Sequence, residues 1–348
     1  MKTLFNLLLT FFCVVQLSFA YSNPFTYPTK SKTITKEFAV SSSPLMEVKN
    51  SYGNVTVILW DENKINYEVV ITVGAKNEKL TNELLDAINV NFTNTATTTN
   101  ATTIFPKTMS GNKEIEVNYT IKIPRKAHAN VEQKYGNVYI PELNGSLKLT
   151  CNYGNFTLGN INNKQNDLSL SYISSGKADY INYATLNVRY STIKLDKINY
   201  FVAKGNYNTF KIGNAGTFNF ETSYTNIVCE KVQKIDITGN YLTLKLNEVG
   251  VSSIIKSNYT TVTQNITPQT EFIQYKGNYA TIAIGNLNTT NFSFDVSGSY
   301  LSLNSKLNLT YTTKISNGNL NQFIGTATNN GKLKINIESN YGTVAFKN

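Results

Sequence analysis

The chain is poor in the residues that do chemistry. Of its 348 residues, one is histidine, three are cysteine and one is tryptophan. The histidine, His128, sits in the run Pro-Arg-Lys-Ala-His-Ala-Asn with no cluster of cysteines or acids around it. One such residue supplies neither a metal-binding set nor a nucleophile-activating triad, so it reads as a solvated loop residue. No G-x-x-x-x-G-K-S/T, G-x-S-x-G or G-x-G-x-x-G context occurs. Acids are scarce as well, 22 Asp and Glu against 32 Lys and Arg. Asp196, Glu221, Glu230, Asp236, Glu248, Glu271 and Asp295 are scattered, and none recurs in one slot on neighbouring units. No catalytic, cofactor-binding or metal-binding residue is expected.

Long apolar runs are missing too, with one exception. Residues 1–20 combine Lys2, an apolar core from Leu4 to Leu17 and Ser18-Phe19-Ala20, the pattern of a cleavable export signal. No later run of 18 apolar residues exists, so no membrane span is expected. Cleavage after Ala20 removes Cys13 and Lys2, leaving two cysteines and 31 basic residues against 22 acids, a net charge of +9. That charge is thinly spread. It suits an anionic polysaccharide or an envelope surface, and no nucleic-acid partner is expected.

What the chain has in quantity is tyrosine at a fixed period. Twelve tyrosines, at 52, 135, 153, 172, 190, 207, 224, 241, 259, 279, 300 and 341, occupy equivalent positions. From Tyr135 to Tyr300 the gaps run 18, 19, 18, 17, 17, 17, 18, 20 and 21. The last gap, 41, fits two units, with Asn319 in the vacant slot. Four residues before each tyrosine the residue is always apolar, from Val48 to Ile337. Three residues after it, eleven of twelve are apolar, Ser175 being the exception. Apolar and polar positions alternate on each side of the tyrosine, the mark of half-buried strands.

The two halves are out of phase, because minus four and plus three differ by an odd number. A bend or bulge must therefore lie at the tyrosine. Short units that repeat in this way bury their apolar faces only against neighbours. The expected fold is all-β: a single-stranded parallel β-solenoid, β-helix-like, of about twelve coils of 17–21 residues with an N-terminal α+β capping excursion. At ~4.8 Å per coil it makes a rod of ~50–60 Å. Stacking would align Asn, Ser and Thr at plus two, and Asn and Ser at minus one, into hydrogen-bonding ladders. The tyrosines would form an aromatic ladder beside them. Its rings either pack the corner or form an exposed stripe that stacks on sugar rings.

In chain order, residues 21–36 are rich in Ser, Thr, Lys and Pro and read as a flexible lead-in. Residues 37–130 hold the first coil, around Tyr52, and an excursion that folds over the end of the rod. Within it, Ile65 to Val73 and Ile115 to Ile123 alternate as strands, Leu80 to Ile88 reads as a short helix, and 91–105 as a hairpin. Residues 131–348 are the solenoid proper, with no polar cap visible after Tyr341. An open last coil offers an edge for self-association.

Two further features bear on partners. Lys194, Lys211 and Lys245 each lie four residues after a tyrosine, facing outward, and form a candidate ligand-facing stripe that Val228 interrupts. The other reading is a set of solvated edge lysines. Cys151 and Cys229 lie four coils apart, about 19 Å along the axis, too far for a disulfide. Cys229 fills an apolar slot and reads as a small buried hydrophobe.

The runs Lys36-Glu37-Phe38-Ala39-Val40, N-S-Y-G-N-V-T-V at 50–57 and W-D-E-N at 60–63, together with the serial Y-G-N and Y-x-T units, resemble the bacterial putative-adhesin family. That resemblance implies an exported, repetitive β-solenoid of a Gram-negative envelope. It carries over no functional residue, and glycine follows the tyrosine only at 52, 135, 153 and 341. The function it implies is a secreted or cell-surface adhesin-like protein, non-catalytic, that binds surface glycans or envelope proteins or serves structurally. The alternatives are a periplasmic component that binds a protein partner and a carbohydrate-active β-helix enzyme.

Overall fold

The computed structural model describes residues 25–107, 112–317, 319–327 and 331–348. The export signal expected over residues 1–20 lies outside the described residues. The chain is built almost wholly of strands. The first part comprises β1 (Thr29–Ala39), β2 (Leu45–Ser51), β3 (Val55–Trp60), β4 (Lys64–Ala75), helix α1 (Glu78–Ala87), β5 (Asn89–Asn94), β6 (Thr98–Ile104) and β7 (Lys113–Pro124). The strand–helix–hairpin–strand order expected between Trp60 and Pro124 is present.

The repetitive part follows, with β8 (His128–Lys134), β9 (Asn137–Leu143), β10 (Leu147–Asn152), β11 (Asn155–Ile161), β12 (Asn166–Ser171), β13 (Gly176–Arg189), β14 (Thr192–Asn206), β15 (Thr209–Asn258), β16 (Thr260–Ile266) and β17 (Phe272–Gly285). The last five are β18 (Phe292–Gly298), β19 (Leu301–Ser305), β20 (Leu309–Ser316), β21 (Asn321–Ala327) and β22 (Leu333–Phe346). Together they form one 22-stranded sheet, parallel through the repetitive part.

Register follows the tyrosine period. Leu149 pairs with Val131 on one side and Leu168 on the other, and Leu186 continues to Ala203 and Phe220. These are the minus-four residues, all buried. After the tyrosine, Val138, Phe156, Gly176, Ile193 and Phe210 form a second buried row. Gly176, not Ser175, holds the plus-three slot in its rung, because one extra residue separates Tyr172 from the strand that follows.

At the end near Tyr52 the added strands extend both halves of the rung. β6 pairs with β2, and β5 with β6. On the other half β7 pairs with β3, β4 with β7, and β1 with β4. A buried network joins the two halves: the Tyr67 hydroxyl meets Thr99 Oγ1, and the Tyr119 hydroxyl meets Thr103 Oγ1, each at 2.7 Å. Thr103 donates onward to Asn50 Oδ1 at 2.8 Å. The segment expected to be a flexible lead-in is a strand from Thr29 onward, since β4 offers an edge whose pairing β1 completes.

The far end also departs from expectation. β22 pairs in parallel with β17 on one side and with β18 and β19 on the other, so the last strand is internal and not an open edge. Among the described strands, β19 and β20 are the ones left with a single partner there. No rung stands vacant between Tyr300 and Tyr341. Asn319 lies in the turn between β20 and β21, where it accepts the Tyr300 hydroxyl at 2.7 Å.

Candidate functional site

The phase change along each unit has a single cause. All twelve tyrosines adopt left-handed backbone conformations, with φ between 51° at Tyr190 and 62° at Tyr207. That conformation lets two successive residues, the one before the tyrosine and the tyrosine itself, face outward. The residues at minus two and plus one then both face inward, as Val188 and Ser191 do around Tyr190. A bulky residue held there costs about 1–2 kcal/mol. Backbone pairing survives the bend: the Tyr207 amide donates to Ser223 O at 3.1 Å, and Tyr172 to Arg189 O at 3.1 Å.

The rings repay the strain by stacking. From Tyr52 to Tyr300, successive rings lie 4.6–5.3 Å apart with interplanar angles of 3–23°. From Tyr135 on they remain 42–52% exposed. Both faces of an internal ring are covered by its neighbours, and Phe105 closes the Tyr52 end edge-on at 5.6 Å. Between its end rings the ladder therefore presents ring edges and hydroxyls to solvent, not faces. Face-on stacking of a sugar, the sharper of the two sequence readings, has no free face on the internal rings.

Polar ladders flank the rings. At minus one, Ser223 N–H donates to Asn206 Oδ1 at 2.8 Å, Asn258 Nδ2 to Asn240 Oδ1 at 2.9 Å, and Asn278 Nδ2 to Asn258 Oδ1 at 3.0 Å. At plus two the ladder runs from Asn118 through Asn54, Asn137 and Asn155 to Ser175. Between these stretches it moves inward to plus one, through Ser191, Asn208 and Thr225. The outermost column, at minus three, carries exposed ion pairs between register partners: Lys49–Glu132 at 2.9 Å, Lys204–Glu221 at 2.7 Å and Lys276–Glu338 at 2.9 Å.

The lysine stripe is partly assembled. Lys194 and Lys211 are register partners on β14 and β15, and both are exposed. Lys177 joins them on the other side, paired with Lys194, a position that counting four residues from the tyrosine misses because of the extra residue in its rung. Asp196 partly neutralises the row through a 2.9 Å contact to Lys194. Lys245 stands apart, its neighbour on β16 being Thr263.

The remaining chemistry-bearing groups are structural. His128 opens β8 and is half-buried, not a solvated loop residue: Ser146 N–H donates to its Nδ1 at 2.9 Å. Asp61 at the end of β3 is paired with Arg125, whose guanidinium holds the carboxyl below its ordinary range. Both cysteines are free and buried, and burial pushes each thiol up to about 12. Among the described residues no group of three or more His, Cys, Asp and Glu could hold a metal ion, and no helix is long and apolar enough to cross a membrane.

No protein-family model and no curated protein matches the chain. Solved structures do. A "putative adhesin" from Parabacteroides merdae is 11% identical, with 90% of this chain and 96% of that one covered and a TM-score of 0.37. A "putative adhesin" from Parabacteroides distasonis is 12% identical, with 90% and 97% covered and a TM-score of 0.32. A "putative cell adhesion protein" from Clostridium sporogenes is 12% identical, with 91% and 99% covered and a TM-score of 0.20. Over about nine-tenths of its length the chain thus matches solved structures described as adhesins, at low sequence identity.

Proposed function

We propose that the protein is an exported β-solenoid of a bacterial envelope, adhesin-like and non-catalytic, whose tyrosine face binds an extended partner lying along the rod. Parallel rows that return to the same register every 17 to 20 residues from β8 to β17 support the solenoid. The added strands from Trp60 to Pro124, with β1, act as its cap at one end. The observation that carries the binding role is the ladder itself: twelve stacked tyrosines, eleven of them half-exposed, with the only ring-hydroxyl bond to a protein side chain within the row made by Tyr300 among the described residues.

Hydroxyls repeated at ring spacing favour a polymer over a small molecule, because each added contact is made at high effective concentration. Surface glycans and extended envelope polypeptides fit that description. The row of Lys177, Lys194 and Lys211 adds affinity for acidic members of either class.

The test is an array of glycans of increasing length, read for the wild type, for Tyr207→Phe/Tyr224→Phe/Tyr241→Phe and for Lys194→Glu/Lys211→Glu. Signal that rises with chain length and falls with the phenylalanines, which keep the rings and lose the hydroxyls, supports the reading. Length-independent binding, or binding untouched by the phenylalanines, counts against it. Protease treatment of intact cells separates display on the surface, where the chain is cleaved, from a periplasmic position, where it is protected.

A further inference from the structure

Rung order and chain order part company at one end of the ladder. Tyr341 stands between Tyr279 and Tyr300, at centroid distances of 5.1 Å and 5.0 Å. Every other column repeats that order. Asn340 Nδ2 donates to Asn278 Oδ1 at 2.8 Å, while Asn340 Oδ1 accepts from Ser299 N–H at 2.9 Å. Glu338 pairs with Lys276 on the β17 side. Phe346 lies edge-on to Phe292 at 5.4 Å, and Leu333, Ile335, Ile337 and Val344 are buried.

The two walls of this gap share the column pattern of the strand between them. Tyr279 and Tyr300 are 21 residues apart, one more than the 20-residue step between the neighbouring rungs of Tyr259 and Tyr279. Their rungs match column by column: Tyr275 with Val296, Asn278 with Ser299, Thr281 with Ser302, Ile282 with Leu303. β22 is thus inserted between two rungs of its own pattern.

The gap is also selective. A Cβ at residue 342 would stand 2.5 Å from Ala280 O, so the occupant must carry glycine directly after its tyrosine. The strand in place also offers an acid opposite Lys276, asparagine before the tyrosine and apolar residues at minus four and plus three. Residues 333–346 carry all of these features.

We propose that the gap between β17 and the β18–β19 pair is a strand-acceptor site, and that its partner in trans is residues 333–346 of a second copy of this chain. Pairing by strand addition supplies the main-chain bonds, and the columns supply the selectivity. Exchange of the strand between copies gives a swapped dimer, or a chain of molecules where the exchange does not close.

The experiment uses the full-length protein. A fluorescein-labelled synthetic peptide of residues 331–348 is incubated with the wild type, with the same peptide carrying Ile337→Asp and Tyr341→Asp as control, across temperatures below the unfolding midpoint. Label comigrating with protein in size exclusion is the readout. In parallel, K276C/E338C places two cysteines at register partners whose spacing admits a disulfide, and oxidation holds β22 in its own gap. Its melting curve establishes that the locked protein is folded. We expect uptake of the native peptide, not the control, by the wild type and by the reduced variant, and at least a tenfold loss in the oxidised one. Uptake that survives the lock, or no uptake by the wild type at any temperature below unfolding, overturns the proposal.

Discussion

The ring of Phe156 fills the space that a side chain at residue 176 would need. A Cβ built on Gly176 lies 2.4 Å from Phe156 Cε1 and 2.8 Å from Ile193 Cδ1. Both neighbours are in register with Gly176, so neither can slide along the row to make room. Gly176→Ala should therefore cost about 1–3 kcal/mol by overpacking. Phe156→Leu in the same chain should recover part of that loss, although Phe156→Leu alone destabilises. Urea denaturation of the two single variants and the double variant checks the coupling, and strict additivity would count against it.

At the tyrosine the usual strand rule should invert. Glycine within a strand is ordinarily worse than alanine by ~0.5–1 kcal/mol. Tyr224 sits at φ 53°, where alanine keeps the left-handed strain and glycine loses it. Both replacements forfeit two ring stacks, each worth ~0.5–1.5 kcal/mol. Tyr224→Gly should nonetheless be more stable than Tyr224→Ala by about 1 kcal/mol, as read from their melting curves.

Face assignment is tested within a single unit. Ile237 is fully buried and Lys245 is exposed. Ile237→Asp leaves an unpaired charge in the core and should cost several kcal/mol. Lys245→Asp should fall within about 0.5 kcal/mol of the wild type. Equal denaturation midpoints for the two would break the strand assignment.

The thiols make a prediction about pH. Burial raises both Cys151 and Cys229 from an ordinary 9.0 to about 12, so the folded state holds them protonated after unfolded thiols have ionised. Their contribution to stability is complete below pH 9 and is lost as pH rises from 9 towards 12. Cys151→Ala/Cys229→Ala should show a shallower loss over that window. At pH 8, a thiol reagent should find two groups after denaturation and react only slowly with the native protein.

How far the sequence reaches is clearest at these positions. The buried rows, the hydrogen-bonding ladders and the bend at tyrosine were all legible, because alternation and a fixed period are direct imprints of strand geometry. The order of the last rungs was not. Each unit carries the same apolar, asparagine and tyrosine columns, so spacing alone left the 41 residues from Tyr300 to Tyr341 open to a vacant-slot reading. The strand register, the ring stack, the Asn340–Asn278 bond and the Lys276–Glu338 pair together place Tyr341 next to Tyr279. Lys177 was missed for a smaller reason: one inserted residue moved it out of the counted position.

Ordered rings are ordered absorbers. Along the row the ring planes of the tyrosines are held nearly parallel, at separations of 4.6–5.3 Å, so excitation placed on one ring migrates to others before it is emitted. The single tryptophan, Trp60, closes β3 in the rung of Tyr52 and stands at one end of that path. Light absorbed far along the molecule drains towards one known place. Tyrosine excitation in the intact protein then feeds tryptophan emission. A break anywhere in the row removes the tyrosines beyond it from that supply, which gives the molecule a built-in gauge of its own continuity.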